Sequence, residues 1–367
     1  MSTRSGVPLV LLAAGGTGGH LFPAQALAEA LTQRNIPVAL ATDRRAAHYD
    51  FPAQSVHVIP SATMRGRDPL SLARTAATLG SGLLKAFEMI GKVRPSVVVG
   101  FGGYPTVPPL YAATLRGVPT VLHEQNGVMG RANKMLARRV TAIATGFAKV
   151  QKLDSSLAVK TTFTGNPIRP AVVAASTTPF VAPGLDGAFR LVVFGGSQGA
   201  QIMSEVVPAA IERLDPALRA RLSIVQQARP EDLDRVRETY RRLKVQAETG
   251  SFIADLPSRL AAAHLVVSRS GASTVAELSA IGRPAILVPL PHALDQDQFA
   301  NAGMLEQAGG AIRLVQKDFT PDRLATDISA LAADPQRLAV MAKAAKSAGT
   351  VDAAERLADL VLRVAAI

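Results

Sequence analysis

The chain of 367 residues contains no cysteine and no tryptophan. Without cysteine there are no disulfides, no thiolate metal ligands and no cysteine nucleophile, and the composition fits a reducing compartment. Aromatic residues make up only 4% of the chain, so stacking platforms for single-stranded nucleic acid are scarce. No apolar run reaches the roughly 18 residues of a membrane span. The run Val7 to Ala14, after Arg4, has the length of a secretion-signal core. A glycine turn and an amphipathic helix follow it where a cleavage site would stand, so it reads as a buried first strand. Two nucleotide-loop signatures are absent as well. There is no GK[ST] of a P-loop, and Leu21 stands where a dinucleotide GxGxxG needs its third glycine.

Acidic charge is short in the first half only. Residues 1–165 hold 18 Lys and Arg against 7 Asp and Glu, whereas residues 166–367 are nearly balanced, with 22 against 21. Nearly all of the net charge of +12 is therefore carried by the first half. A surface that basic attracts phosphates, whether of nucleic acid, anionic headgroups or a diphosphate substrate.

Two glycine-rich turns of one kind are present, LVLLAAGGTGGH from Leu9 and LVVFGGSQGA from Leu191. Each follows an apolar run and leads into a helical pattern. Short apolar strands alternate with helices around both: Leu9–Ala13, Val38–Ala41, Val97–Val99, Thr120–Leu122 and Ala142–Ala144, then Leu191–Phe194, Ser223–Gln226, Leu265–Ser268 and Ala285–Val288. Such alternation predicts two α/β domains with buried parallel sheets. The linker is expected near Gly165-Asn166-Pro167 or in the turn-rich residues 176–188. Residues 65–94 predict a basic amphipathic helix. Leu72, Ala76, Leu79, Leu83, Phe87 and Ile90 share one face, and Arg74, Lys85 and Lys92 the other. It reads as a crossover helix or as an interfacial element whose Leu84 and Met89 dip into lipid. Gly80 and Gly82 are expected to loosen it, so that it forms two pieces.

Six clusters sit at strand ends. In Gly15-Gly16-Thr17-Gly18-Gly19-His20 and Gly195-Gly196-Ser197-Gln198-Gly199-Ala200 the glycines admit a ligand to the backbone, and the next helix offers free amides. His20 is either structural or aimed at a ligand. Gly100-Phe101-Gly102-Gly103-Tyr104-Pro105 follows a strand, and His123-Glu124-Gln125-Asn126-Gly127 suits a pocket more than a core. In Ser268-Arg269-Ser270-Gly271 and Ala272–Glu277 a helix start would attract phosphate, with Glu277 placed for ribose hydroxyls. Asp295 and Asp297 form a DxD, which reads as a helix cap more readily than as a metal site.

Taken in order, GGTGGH, GFGGY, HEQNG, GNPIR, GGSQGA, RSGASTVAE and the DQDQxxNA segment after His292 resemble the MurG family, from about residue 9 to about residue 313. These are peripheral membrane transferases that add N-acetylglucosamine to undecaprenyl-pyrophosphoryl-N-acetylmuramoyl-pentapeptide. The resemblance implies the α/β GT-B fold, two Rossmann-like parallel-sheet domains facing a cleft. Residues 1–168 would form the acceptor- and membrane-facing domain, with the C-terminal helix 350–367 packed back on it. Residues 169–349 would bind the UDP-sugar. It implies donor-site roles for Thr17, Gly18, Gly19, Asn126, Arg169 and Ser197. The backbone of Ile253 would read the uracil, and Ala272, Ser273, Thr274, Val275 and Ala276 would hold diphosphate and ribose together with Glu277. Gln298, with Asn301, would hold the sugar. Asp297 departs from the family pattern, where another polar residue, often His, is usual.

The expected reaction is an inverting transfer to the 4-hydroxyl of the muramoyl residue, with His20 as base and Glu124 as the alternative. Neither cofactor nor metal is expected. The expected partners are UDP-N-acetylglucosamine, the lipid-linked acceptor and an anionic membrane surface, with no nucleic acid, at the cytoplasmic face of the bacterial inner membrane. Other readings on the same fold are a different UDP-sugar transferase or a UDP-N-acetylglucosamine 2-epimerase. A nucleotide-sugar or nucleic-acid binding protein without catalysis is a rival of another class, and the broken fingerprint disfavours an NAD-dependent oxidoreductase.

Overall fold

A computed structural model of the chain describes residues 8–15, 18–45, 49–61, 69–196 and 199–366. The chain divides into two compact units. One runs up to Arg169 and takes in the last helix from Asp352, and the other is Pro170–Val351.

The first unit contains β1 (Val10–Ala13), α1 (Gly18–Gln33), β2 (Val38–Thr42), β3 (Ser55–Val58), α2 (Pro69–Val93), β4 (Val97–Gly100), α3 (Val107–Leu115), β5 (Thr120–Glu124), α4 (Arg131–Ala137), β6 (Ala142–Thr145) and β7 (Thr161–Phe163). Its seven strands lie in the order β3-β2-β1-β4-β5-β6-β7, with every pairing parallel. Side-chain alternation along β1 builds two cores. Val10 and Leu12 pack with α1 and with Leu357, Ala358 and Val361 of the C-terminal helix. Leu11 and Ala13 pack with Ala86 and Ile90 of α2 and Leu110 of α3. Central strands covered on both faces can be apolar throughout, and β1, β2 and β4 are buried at every position. Salt bridges from Arg34 to Glu355 and to Asp359 (2.6 Å for the latter) also tie α1 to the C-terminal helix.

The second unit contains α5 (Pro170–Ala175), β8 (Phe189–Phe194), α6 (Gln201–Arg213), α7 (Pro216–Ala220), β9 (Leu222–Gln227), α8 (Leu233–Arg242), β10 (Gln246–Gly250), α9 (Leu256–Ala262), β11 (Leu265–Ser268), α10 (Ala272–Ile281), β12 (Ala285–Leu287), α11 (Asp297–Gln307), β13 (Ala311–Arg313), α12 (Pro321–Ala332) and α13 (Pro335–Ser347). The C-terminal helix of the first unit is α14 (Ala353–Ala365). The six strands run β10-β9-β8-β11-β12-β13, again all parallel. Each unit is thus a doubly wound Rossmann-like sheet, as the alternation of strands and helices predicts.

Helix α2 corrects three expectations. It is one continuous helix of 25 residues rather than two pieces. Gly82 does not loosen it. A Cβ there would fall 2.1 Å from the Pro60 carbonyl oxygen, so the missing side chain lets the helix approach that backbone closely. The buried line follows the small residues Gly82 and Ala86 to Met89 and Ile90. Met89 is therefore in the core, while Phe87 is exposed beside Leu84. A face assigned from large apolar residues alone is rotated, because close contact is made where side chains are small. The side chains of residues 69–76, including Leu72, Arg74 and Ala76, lie outside the described residues, as does the start of the predicted helix at 65–68.

Candidate active site

Both glycine turns stand where the strand order of their own sheet reverses. In the first unit β1 lies between β2 and β4, and Ala13 and Gly100 end side by side. In the second unit β8 lies between β9 and β11, and Phe194 and Ser268 end side by side. In an open parallel sheet this switch point opens a crevice beyond the strand ends, where ligands bind.

In the first unit, α1 begins at Gly18. Gly19 and His20 therefore lie in its first turn; Thr17 is outside the described residues. His20 Nδ1 is 3.0 Å from Gln125 Oε1. The Gln125 amide nitrogen donates to the Phe101 carbonyl at 2.8 Å, and the Gln125 main-chain carbonyl accepts from Asn166 Nδ2 at 2.9 Å. The glycine turn, the GFGG turn, the HEQN turn and GNP are thus joined by hydrogen bonds through one buried glutamine.

The HEQN cluster, which its composition assigns to a pocket rather than a core, places its first three residues in the core. Strand β5 continues through His123 and Glu124, which are 0% and 1% exposed. His123 Nε2 lies 3.1 Å from the Gly165 carbonyl, so it carries the ring proton. Burial lowers the His123 pKa to about 4. Glu124 accepts from the backbone amides of Asn126 (2.9 Å) and Gly130 (2.8 Å) and from Asn133 Nδ2 (2.7 Å). Burial pushes its carboxyl up, and these donors oppose that rise. Both oxygens are turned inward, so Glu124 organises residues 126–130 and is poorly placed to reach a substrate proton. Asn126 projects from that loop half-buried, its amide 3.4 Å from Glu124 Oε1. The Arg169 guanidinium lies 4.8 Å from the ring centroid of Phe22 on α1, which brings GNPIR to the helix that carries His20.

In the second unit, a Cβ on Gly195 would fall 2.2 Å from the Ala200 amide nitrogen, so this tight loop requires glycine. Ser197 is outside the described residues. Gln227, at the end of β9, accepts from the Gly195 amide at 3.1 Å and donates to the Ser251 carbonyl at 3.2 Å. It thereby links the glycine turn to the loop that holds half-buried Ile253. Helix α10 starts at Ala272 after Gly271, with no side-chain cap. Its first-turn amides have no carbonyl partner within the helix, and they carry the positive end of its dipole. Ala272, Ser273, Thr274 and Ala276 are half-buried; Val275 and Glu277 are buried.

Gln298 Oε1 accepts from the Leu290 amide at 3.0 Å, and the Gln298 carbonyl accepts from Ser270 Oγ at 2.8 Å. Asn301 Nδ2 donates to the Ser270 carbonyl at 3.2 Å. The Gln298 side chain is therefore oriented through its Oε1. Asp297 Oδ1 accepts from the Gln298 amide at 2.7 Å, at the first residue of α11. Asp295 and Gln296 before it hold left-handed conformations, φ 60° and 58°. Among the described residues no group of three or more His, Cys, Asp or Glu is arranged to hold a metal.

Three organising residues have no role assigned from sequence: Gln125 and Arg269, named only within their clusters, and Gln227, not named. Arg269 is 9% exposed and donates to the carbonyls of Val288 and Pro289, both at 3.1 Å, and to Gln316 Oε1 at 2.6 Å. Each stands at or just beyond the end of a buried strand. A polar residue ending an apolar run was the available signal.

The family model for the glycosyltransferase family 28 N-terminal domain matches residues 10–145, and that for the C-terminal domain matches residues 190–357. A relative from Rhodopseudomonas palustris (strain BisB18) is 61% identical over 99% of this chain and 98% of its own. Another, from Nitrobacter hamburgensis, is 61% identical over 98% of this chain and 97% of its own. Both are named UDP-N-acetylglucosamine–N-acetylmuramyl-(pentapeptide) pyrophosphoryl-undecaprenol N-acetylglucosamine transferase. Among solved structures, Acinetobacter baumannii MurG superposes with a TM-score of 0.77 at 27% identity, covering 97% of this chain and 99% of that one.

Proposed function

The chain belongs to the MurG family of family 28 glycosyltransferases and transfers N-acetylglucosamine from UDP-N-acetylglucosamine to lipid I, forming lipid II in peptidoglycan synthesis, and on that premise we propose how its two units divide the reaction. The relatives are named transferases, so the 2-epimerase reading is set aside.

The second unit holds the donor. First-turn amides of α10 at Ala272, Ser273 and Thr274, with Val275 and Ala276 behind them, receive the diphosphate together with the Gly195–Ala200 turn and Ser197. Glu277 accepts from the ribose hydroxyls, the backbone of Ile253 pairs with the uracil edge, and Gln298 donates to the sugar. In the first unit, the family resemblance gives Thr17, Gly18, Gly19, Asn126 and Arg169 roles in donor binding. His20 takes the proton of the muramoyl 4-hydroxyl as that oxygen attacks C1 of the donor sugar. UDP leaves from the opposite face, giving a β-1,4 link. Charge developing on UDP is met by backbone amides, Ser197, Arg169 and the α10 dipole, with no metal.

The observation that carries this division is the glycine turn at the switch point of each sheet, one feeding the His20 helix and the other joined by Gln227 to the Ile253 loop. The basic first half binds anionic lipid at the cytoplasmic face of the inner membrane. Leu84 (74% exposed), Phe87 and Leu115 offer an apolar surface there, and Arg116 stacks 3.8 Å from the Phe87 centroid. Among the described residues no helix is long and apolar enough to cross a membrane. In this reading the enzyme supports wall growth, and through it cell shape and division.

Transfer of labelled N-acetylglucosamine to lipid-linked muramoyl-pentapeptide, with and without chelator, tests the proposal. Equal rates in both arms are expected. Chelator-sensitive transfer would return Asp295 and Asp297 to consideration as metal ligands.

A further inference from the structure

We infer that Gln125 is a positioning residue for His20, fixing the imidazole as the Nδ1–H tautomer so that the lone pair lies on Nε2. The inference rests on the proposed role of His20 as base and names what prepares it for that role.

The chain of donors and acceptors admits one arrangement. Gln125 is 3% exposed, and its amide nitrogen is 2.8 Å from the Phe101 carbonyl oxygen. Turning the amide over would set two oxygens against each other at that distance, so the nitrogen must face Phe101 and Oε1 must face His20. At 3.0 Å from Nδ1, Oε1 can only accept. Nδ1 therefore carries the proton, and in a neutral imidazole the other nitrogen is the basic one. The glutamine cannot swing away easily. Its main-chain carbonyl is held by Asn166 Nδ2 at 2.9 Å, and Asn166 is itself 4% exposed.

The basic nitrogen lies against the GFGG turn. A Cβ on Gly103, which has φ 73°, would stand 3.3 Å from His20 Nε2. A neutral amide orients the ring without placing a negative charge beside it. Gln125 and His20 are 105 residues apart in sequence and joined only by the fold.

The direct test is nitrogen-15 spectroscopy of the full-length enzyme labelled in its six histidines, with the His20 signal assigned by its loss in His20→Ala. The wild type should show His20 as the Nδ1–H tautomer; a predominant Nε2–H tautomer overturns the inference and needs no variant to do so. In Gln125→Met, the tautomer should become mixed. Its kcat should fall about ten- to a hundredfold, part of the 10²–10⁴ that a positioned base contributes. KM for UDP-N-acetylglucosamine should stay within about twofold, with kcat expressed per folded enzyme as counted from the same spectra, so that lost protein is not read as lost turnover. A Gln125→Met enzyme that keeps the Nδ1–H tautomer or the wild-type kcat refutes the role. The reading beneath is judged separately by His20→Ala: if that variant turns over at the wild-type rate, His20 is not the base, whatever the tautomer of the native ring.

Discussion

Acidification from pH 7.5 to 5 should destabilise the first unit through His123, and the size of the effect follows from its burial. The ring is 0% exposed, packed at a tilt against Phe101, and its pKa is lowered to about 4 from an ordinary value of 6.5. A depressed folded pKa means that the unfolded chain binds the proton first. The contribution is therefore complete above pH 6.5 and is lost as pH falls towards 4. Over the 1.5 units between 6.5 and 5 the loss is about 2 kcal/mol, at about 1.4 kcal/mol per unit. Urea unfolding of wild type and His123→Gln at the two pH values measures it. Glutamine keeps a donor for the Gly165 carbonyl but does not titrate, so the difference between the two proteins removes the shared carboxylate contribution. The wild type should lose about 2 kcal/mol more than the variant. If both lose the same amount, proton uptake at His123 is not what limits acid stability, and the ring is not held neutral by its surroundings.

The two glycines of α2 should respond oppositely to alanine. Gly80→Ala meets nothing within 4 Å and should raise stability in urea by about 0.5–1 kcal/mol through helix propensity. Gly82→Ala must displace the Pro60 carbonyl and should lower stability by about 1–3 kcal/mol; equal effects at the two sites would contradict the close approach seen there. For membrane docking, Leu84→Glu should weaken sedimentation with anionic vesicles by about tenfold, the worth of one buried leucine side chain. Added salt should weaken wild-type binding further by screening the basic surface. Unchanged vesicle binding in Leu84→Glu would move the docking surface elsewhere.

What the sequence made legible follows how thoroughly an element is buried. β1, β4 and β11 are apolar at nearly every position and stand out as strands, and they fix the two sheets. The edge strands β3, β7 and β10 carry Ser-Val-His-Val, Thr-Thr-Phe and Gln-Ala-Glu-Thr-Gly; they are short and partly in solvent, and lack the apolar runs that mark the central strands. Helix α3 opens with Val-Pro-Pro, a breaker pair that is tolerated in a first turn where amides need no helical acceptor. The glycine turns were readable because close backbone approach leaves a compositional trace.

The polar residues at the strand ends were misread for a definite reason. His-Glu-Gln after Thr-Val-Leu looks like chain leaving the core, since three polar groups there would cost more than burial returns unless each is satisfied. Here each has partners supplied from far along the chain: Gly165 for His123, the 126–133 segment for Glu124, and Phe101 with His20 for Gln125. Only the fold brings those partners into place, so composition cannot distinguish a satisfied buried network from an exposed loop. The same holds for Gln227 between the Gly195 turn and Ser251. In both units the groups that would touch substrate lie on glycine turns and helix starts, and a glutamine at or just beyond the end of a neighbouring strand holds them in register. A strand end is rigid, and an amide both donates and accepts without adding charge. One glutamine can therefore join two turns without adding a charge between them.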